Sequence, residues 1–222
     1  MAFKTWLDNL VYRIFEAPRG LDFARNAYPY KSGSDNVWYE RTYTEHVKKI
    51  FSYIKDKRRP FLDLGCGKGY LLYRLQKLGF THTDGLEYNL EFAATALQNM
   101  ERLGLEDKIT IYNMDARDFV DFDRYEIIYM FHPFRAPVMR EVVRHVEESL
   151  DRRPRPFTVV YFYPIEHRFW DISPYFSLAK IRVIHFANTE MEVCYYEHEP
   201  GKVRPRLPRF SDVLHHELEQ TD

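Results

Sequence analysis

The spacing of apolar residues changes several times along the chain, and each change marks an element. Phe3, Leu7, Leu10 and Ile14, with Trp6 and Val11 beside them, recur at helical spacing and make one apolar stripe. That stripe predicts a helix whose face needs cover, from the body of the protein, a partner surface or a membrane interface. Residues 20–42 are rich in Tyr, Gly, Ser and Asn without a period and read as a long loop. A further helix over about residues 43–55 leads to Pro60.

From Pro60 onward, buried-strand and helix patterns alternate. Phe61-Leu62-Asp63-Leu64 is a short strand ending in glycines, and Tyr70 to Leu78 a helix stopped by Gly79. A strand over about 81–87 precedes a helix that Asn89 caps, with Leu90, Ala93, Ala94, Leu97 and Met100 on one face. Lys108 to Met114 and Glu126 to Phe131 are the next strands. Pro137 then sits in the first turn of a helix that buries Val138, Val142, Val143, Val146 and Leu150. After a strand at Phe157 to Tyr163, two β-rich runs, about 180–186 and 191–197, flank Ala187-Asn188-Thr189-Glu190 and predict a hairpin. The expected fold is α/β: a Rossmann-like three-layer sandwich whose mostly parallel sheet ends in an antiparallel hairpin. Residues 1–42 are expected as an N-terminal helix-and-loop extension, 43–199 as the domain and 200–222 as a proline-rich, then charged tail.

Composition narrows this picture modestly. With 45% hydrophobic and 29% charged residues the chain reads as a soluble globular protein, and no apolar run approaches the roughly 20 residues of a spanning helix. Lys4, Asp8 and Arg13 interrupt the N-terminal apolar stretch, so no signal peptide and no integral membrane association are expected, and the predicted location is cytoplasmic. Two cysteines far apart, Cys66 and Cys194, exclude a disulfide framework. The nine histidines fall into no HExxH or paired-cysteine pattern, so no metal is expected. A formal net charge of −1 gives no overall field for nucleic acid, although Lys55-Asp56-Lys57-Arg58-Arg59 is locally basic.

In open parallel sheets, ligands bind beyond the carboxyl ends of the strands. Here those ends carry Asp63 with Gly65-Cys66-Gly67-Lys68-Gly69, then Glu87-Tyr88, Asp115-Ala116 and His132-Pro133-Phe134. Gly65, Gly67 and Gly69 let the backbone turn tightly beside a ligand. The dinucleotide fingerprint G-x-G-x-x-G needs glycine where Tyr70 stands, which disfavours a nicotinamide-dependent oxidoreductase. Asp63 suits an ammonium, whereas it would repel a pyrophosphate. Glu87 can accept from both hydroxyls of a ribose, and Asp115 from the amine of adenine. The combination describes a nucleoside that carries an amino acid.

FLDLGCGKG, GLEYN and NMDARDF resemble the first three cofactor motifs of class I S-adenosylmethionine (SAM) dependent methyltransferases. The expected sheet is similar to that family's seven-stranded fold. The resemblance implies that Asp63 and residues Gly65, Cys66, Gly67 and Gly69 hold the methionine end, Glu87 the ribose, Tyr88 the adenine face, and Asp115 with the Ala116 N–H the base edge. Phe131-His132-Pro133-Phe134 stands where many amino-group methyltransferases carry Asn or Asp, prolines and an aromatic residue; the resemblance makes His132 the polar group facing the target nitrogen, Pro133 a carbonyl acceptor and Phe134 the packing ring. Tyr39-Glu40-Arg41-Thr42-Tyr43 resembles a segment of a group of bacterial methyltransferases related to protein-lysine methyltransferases. Tyr163-Pro164-Ile165-Glu166-His167 would face the same cleft. The expected activity is methyl transfer from SAM to nitrogen, on a protein side chain or small amine in preference to nucleic acid. The alternatives are a nucleic-acid base methyltransferase, an NAD(P)-dependent oxidoreductase and a SAM-binding protein without turnover, with the N-terminal helix available as a partner surface.

Overall fold

The computed structural model describes residues 10–24, 42, 44–186 and 189–202. Seven strands form one sheet: β1 (Phe61–Leu64), β2 (Thr83–Glu87), β3 (Ile111–Asn113), β4 (Ile127–Phe131), β5 (Phe157–Phe162), β6 (Ser177–Phe186) and β7 (Thr189–His198). Their spatial order is β3-β2-β1-β4-β5-β7-β6. The four pairings from β3 to β5 are parallel, with Asp63 between Gly85 of β2 and Tyr129 of β4. β7 inserts antiparallel between β5 and β6, so the expected hairpin is present, and its strands are longer than the apolar runs suggested. The turn at 187–188 lies outside the described residues.

Helices α1 (Thr44–Phe51), α2 (Tyr70–Lys77), α3 (Leu90–Arg102), α4 (Ala136–Arg152) and the single turn α5 (Arg168–Asp171) connect and cover the strands. Two buried clusters divide the core: one centres on Phe51, Leu72, Phe80 and Tyr129, the other on Leu64, Ile128, Val142 and Trp170. The central strands β1 and β5 are buried along their whole length because helices cover both faces.

α4 buries the five residues that its spacing predicts. α3 does not. Leu90 and Leu97 are exposed, and the buried face carries Ala93, Ala96, Asn99 and Met100. The reason is the glycine loop: a Cβ on Gly69 would come within 2.9 Å of Met100 Cε and 3.4 Å of Ala96 Cβ, so only small side chains admit the helix there. Of the N-terminal stripe, positions before 10 lie outside the described residues. Leu10 and Ile14 are exposed, and the backbone passes through one wide π turn at Tyr12–Glu16 and a 3-10 turn at Ala17–Arg19. Residues 21–24, expected as loop, dock on the body.

Candidate cofactor and acceptor site

The strand order reverses between β1 and β4, and the residues at the two strand tips meet. Gly65 has φ +84°, and a Cβ there would lie 2.8 Å from Pro133 Cβ, so the cofactor loop and the β4 tip touch at a point where only glycine fits. The loop is also fastened to β2, because Gly65 and Cys66 donate their N–H groups to the Leu86 carbonyl at 2.8 and 3.0 Å. The Cys66 side chain is buried against β2: a Cβ on Gly85 would sit 2.6 Å from Cys66 Sγ. Cys66 therefore offers the cleft its backbone, and burial pushes its thiol well up.

Glu87 closes the acidic side. Its two carboxylate oxygens accept from the Gly67 and Asn89 N–H groups, each at 2.8 Å, which fixes the carboxylate while leaving a lone pair on each oxygen. Asn113 braces the same turn by donating to the Glu87 and Tyr88 carbonyls. The Tyr88 ring is exposed. Asp115 holds the Arg117 N–H and guanidinium in a local turn, at 2.9 Å and 2.7 Å, and this donor set keeps its carboxyl below the usual range despite partial burial. Ala116 is buried behind it.

Asp63 provides the test of fit. It is 3% exposed, and among the described residues its carboxylate accepts no hydrogen bond and pairs with no cation. Burial, with Glu87 adding to it, pushes the carboxyl well above the usual carboxylate range. A buried acid without a donor suits a ligand that brings its own ammonium. Asp63, the Gly65–Gly69 loop and Glu87 thus lie together at the strand ends, where an amino acid joined to a ribose is expected.

Sequence reasoning missed the support behind this wall. Residues 16–24 lie across the outer side of the glycine loop as a strap. Glu16 accepts from the Phe23 and Ala24 N–H groups at 2.7 Å each, Asp22 pairs with Lys68 at 2.9 Å, and Asn99 donates to the Asp22 and Lys68 carbonyls at 3.0 Å each. Phe23 packs on Tyr70 and Tyr73 of α2. Asn99 on a helix was the one available signal, as a polar residue on the face with Ala93 and Ala96.

At the β4 tip, Phe134 is 4% exposed and belongs to the second core cluster. His132 is half-buried, and its Nδ1 has no hydrogen-bond partner among the described residues. Burial lowers its pKa; Glu166 opposes this and Arg135 adds to it, so the ring is held toward the neutral form. Thr42 is the one described residue of the 39–43 segment, and its hydroxyl meets Tyr129 OH at 2.8 Å beneath the site. Among the described residues no group of three acidic, Cys or His side chains is placed to hold a metal ion, and no helix is long and apolar enough to cross a membrane.

Residues 61–153 match the family described as Methyltransferase domain. Residues 61–153 are thus similar to a methyltransferase domain. The seven-stranded sheet shares its Rossmann-like fold with solved methyltransferase structures. A tRNA1(Val) (adenine(37)-N6)-methyltransferase of Dyadobacter fermentans is 30% identical over 96 residues, 40% of either protein, so the chain spans 40% of that relative's length. The m1A22 tRNA methyltransferase of B. subtilis superposes with a TM-score of 0.59 at 14% identity, over 72% of this chain and 68% of that one. An RNA methyltransferase of Salinibacter ruber, solved with S-adenosyl-L-homocysteine, gives a TM-score of 0.50 at 16% identity over 75% of this chain and all of that one. These findings correct two expectations. A ribosomal protein L11 methyltransferase of Shewanella woodyi matches over a shorter stretch, 37% identical over 54 residues, but the longer curated match and the structural neighbours above are named for tRNA or RNA and none for protein lysine, and the preference for a protein side chain or small amine over nucleic acid falls with that kinship. The net charge of −1 misled because it averages the surface: Arg135 and Arg140, exposed beside the β4 tip, enter no ion pair among the described residues.

Proposed function

We propose that the protein is a SAM-dependent methyltransferase that modifies a nitrogen of an adenine in tRNA. The observation that supports this reading is the contact of the β4 tip with the cofactor loop, Pro133 against Gly65, which sets the neighbouring His132 beside the expected methyl donor. Adenine is favoured because both the curated relative and the B. subtilis neighbour are named for an adenine of tRNA.

SAM, when bound, supplies a methyl group on a sulfonium. The chain's own residues bind and orient. Asp63 faces the ammonium, Glu87 the ribose hydroxyls, Tyr88 the adenine face of the cofactor, and Asp115 with the Ala116 N–H its edge. Neutral His132, whose Nδ1 is buried, accepts a hydrogen bond from the target amine through Nε2, which keeps the nitrogen lone pair directed at the methyl; imidazolium would only donate. Arg135 and Arg140 meet backbone phosphates. Holding the acceptor in line supplies much of the rate, since pre-orientation removes on the order of 7 to 11 kcal/mol of barrier.

The test is transfer of labelled methyl from SAM into unmodified total tRNA, followed by digestion to nucleosides. Label in a methyladenosine is expected. Label that survives nuclease but not protease, or no label in any RNA fraction, would overturn the reading.

A further inference from the structure

β4 and β5 end side by side, with Phe131 paired to Phe162, and the residue after each strand adopts the left-handed region: His132 at φ 36° and Tyr163 at φ 51°. Every other described residue with positive φ is glycine. Non-glycine residues are strained there and stay only where the surroundings force them. Here they do. The His132 N–H donates to the Phe162 carbonyl at 3.1 Å, the Tyr163 N–H donates to the Glu192 carbonyl at 2.8 Å, and the Tyr163 carbonyl accepts from Ile165 at 3.0 Å. Beneath them the Phe131 and Phe162 rings pack with centroids 4.4 Å apart.

The two bends bring the His132 and Tyr163 rings together edge to face, with centroids 5.6 Å apart and planes at 89°. The core gains little from this arrangement, because Tyr163 remains 43% exposed. The ring expected to pack on the acceptor, Phe134, is spent in the core. A strained backbone that holds a flat ring in the open, against the edge-to-face imidazole of His132, has the form of a stacking surface. We propose that Tyr163, rather than Phe134, is the platform on which the acceptor base stacks, with His132 as the perpendicular wall that reads the base edge.

This inference rests on the nucleobase reading of the same site. Stacking on an aromatic side chain is worth roughly 10- to 100-fold in affinity for a base. Tyr163→Ala is therefore expected to raise KM for tRNA by about that factor, with SAM affinity by calorimetry unchanged. Tyr163→Phe restores KM, because the ring and not the hydroxyl does the stacking. Tyr163→Gly, which accepts the φ of 51° without strain, keeps the wild-type melting temperature and shows the KM defect of Tyr163→Ala. If the wild-type protein methylates tRNA and Tyr163→Ala keeps its KM, or Tyr163→Phe is as impaired as Tyr163→Ala, the platform is wrong and the parent reading stands. If the wild-type protein transfers nothing to tRNA, the parent reading and the platform fall together.

Discussion

Asp63 carries the sharpest single-residue prediction. Its folded pKa is raised, so the folded state binds the proton more tightly than the unfolded chain does. Stability from this group is present at low pH and is lost as pH rises from the ordinary carboxylate range toward the folded value. The ionised form, however, is the one a cationic ligand needs. Asp63→Asn should therefore stabilise the cofactor-free protein at neutral pH, because a neutral amide no longer has to bury a charge there. It should also abolish SAM binding. Thermal melts with and without SAM read both effects, and a variant melting below wild type without ligand would contradict this account. For the unmutated protein, SAM affinity should weaken as pH falls, beginning above the pH at which an exposed carboxylate titrates. Calorimetry across that range checks the sign.

Among the elements, the strap invites a double-mutant cycle. Lys68 and Asp22 are 5% and 16% exposed as side chains, so replacing one partner takes a close counter-charge from a mostly buried ion. Asp22→Asn alone is expected to cost about 3 to 5 kcal/mol, and Asp22→Leu with Lys68→Met much less than the sum of the single changes. Denaturant melts of the full chain would decide it; additive costs would mean that the pair does not hold the loop. This element also marks where sequence patterns stop being informative. The strand–helix alternation, the glycine loop and the acidic strand ends were legible because period, glycine spacing and strand-terminal acids are local signals. The buried face of α3 was not, since Ala93, Ala96 and Asn99 are chosen by the loop they approach rather than by hydrophobicity. Likewise nothing local announces that Phe134 turns inward while Tyr163 stays out, because a left-handed bend at a tyrosine is imposed by neighbouring strands.

At the scale of the molecule, the parallel half of the sheet presents the cofactor wall, and the end where the hairpin inserts carries the proposed acceptor side. The family match ends at residue 153, and Tyr163 lies beyond it. The cofactor wall follows a widely shared pattern. The acceptor edge depends on β5, on the Glu192 carbonyl of β7 that pins Tyr163, and on the turn after β5.

The contact of Gly65 with Pro133 makes these two halves share a boundary. Whatever tightens the glycine loop around SAM presses on the proline that follows His132, so occupancy of either half must alter the affinity of the other by one common factor. Tyr88 and Tyr163 would then report a single coupling free energy, measurable as the ratio of tRNA dissociation constants with and without S-adenosylhomocysteine. Gly65→Ala, with its methyl forced against Pro133, should change that ratio as well as each affinity.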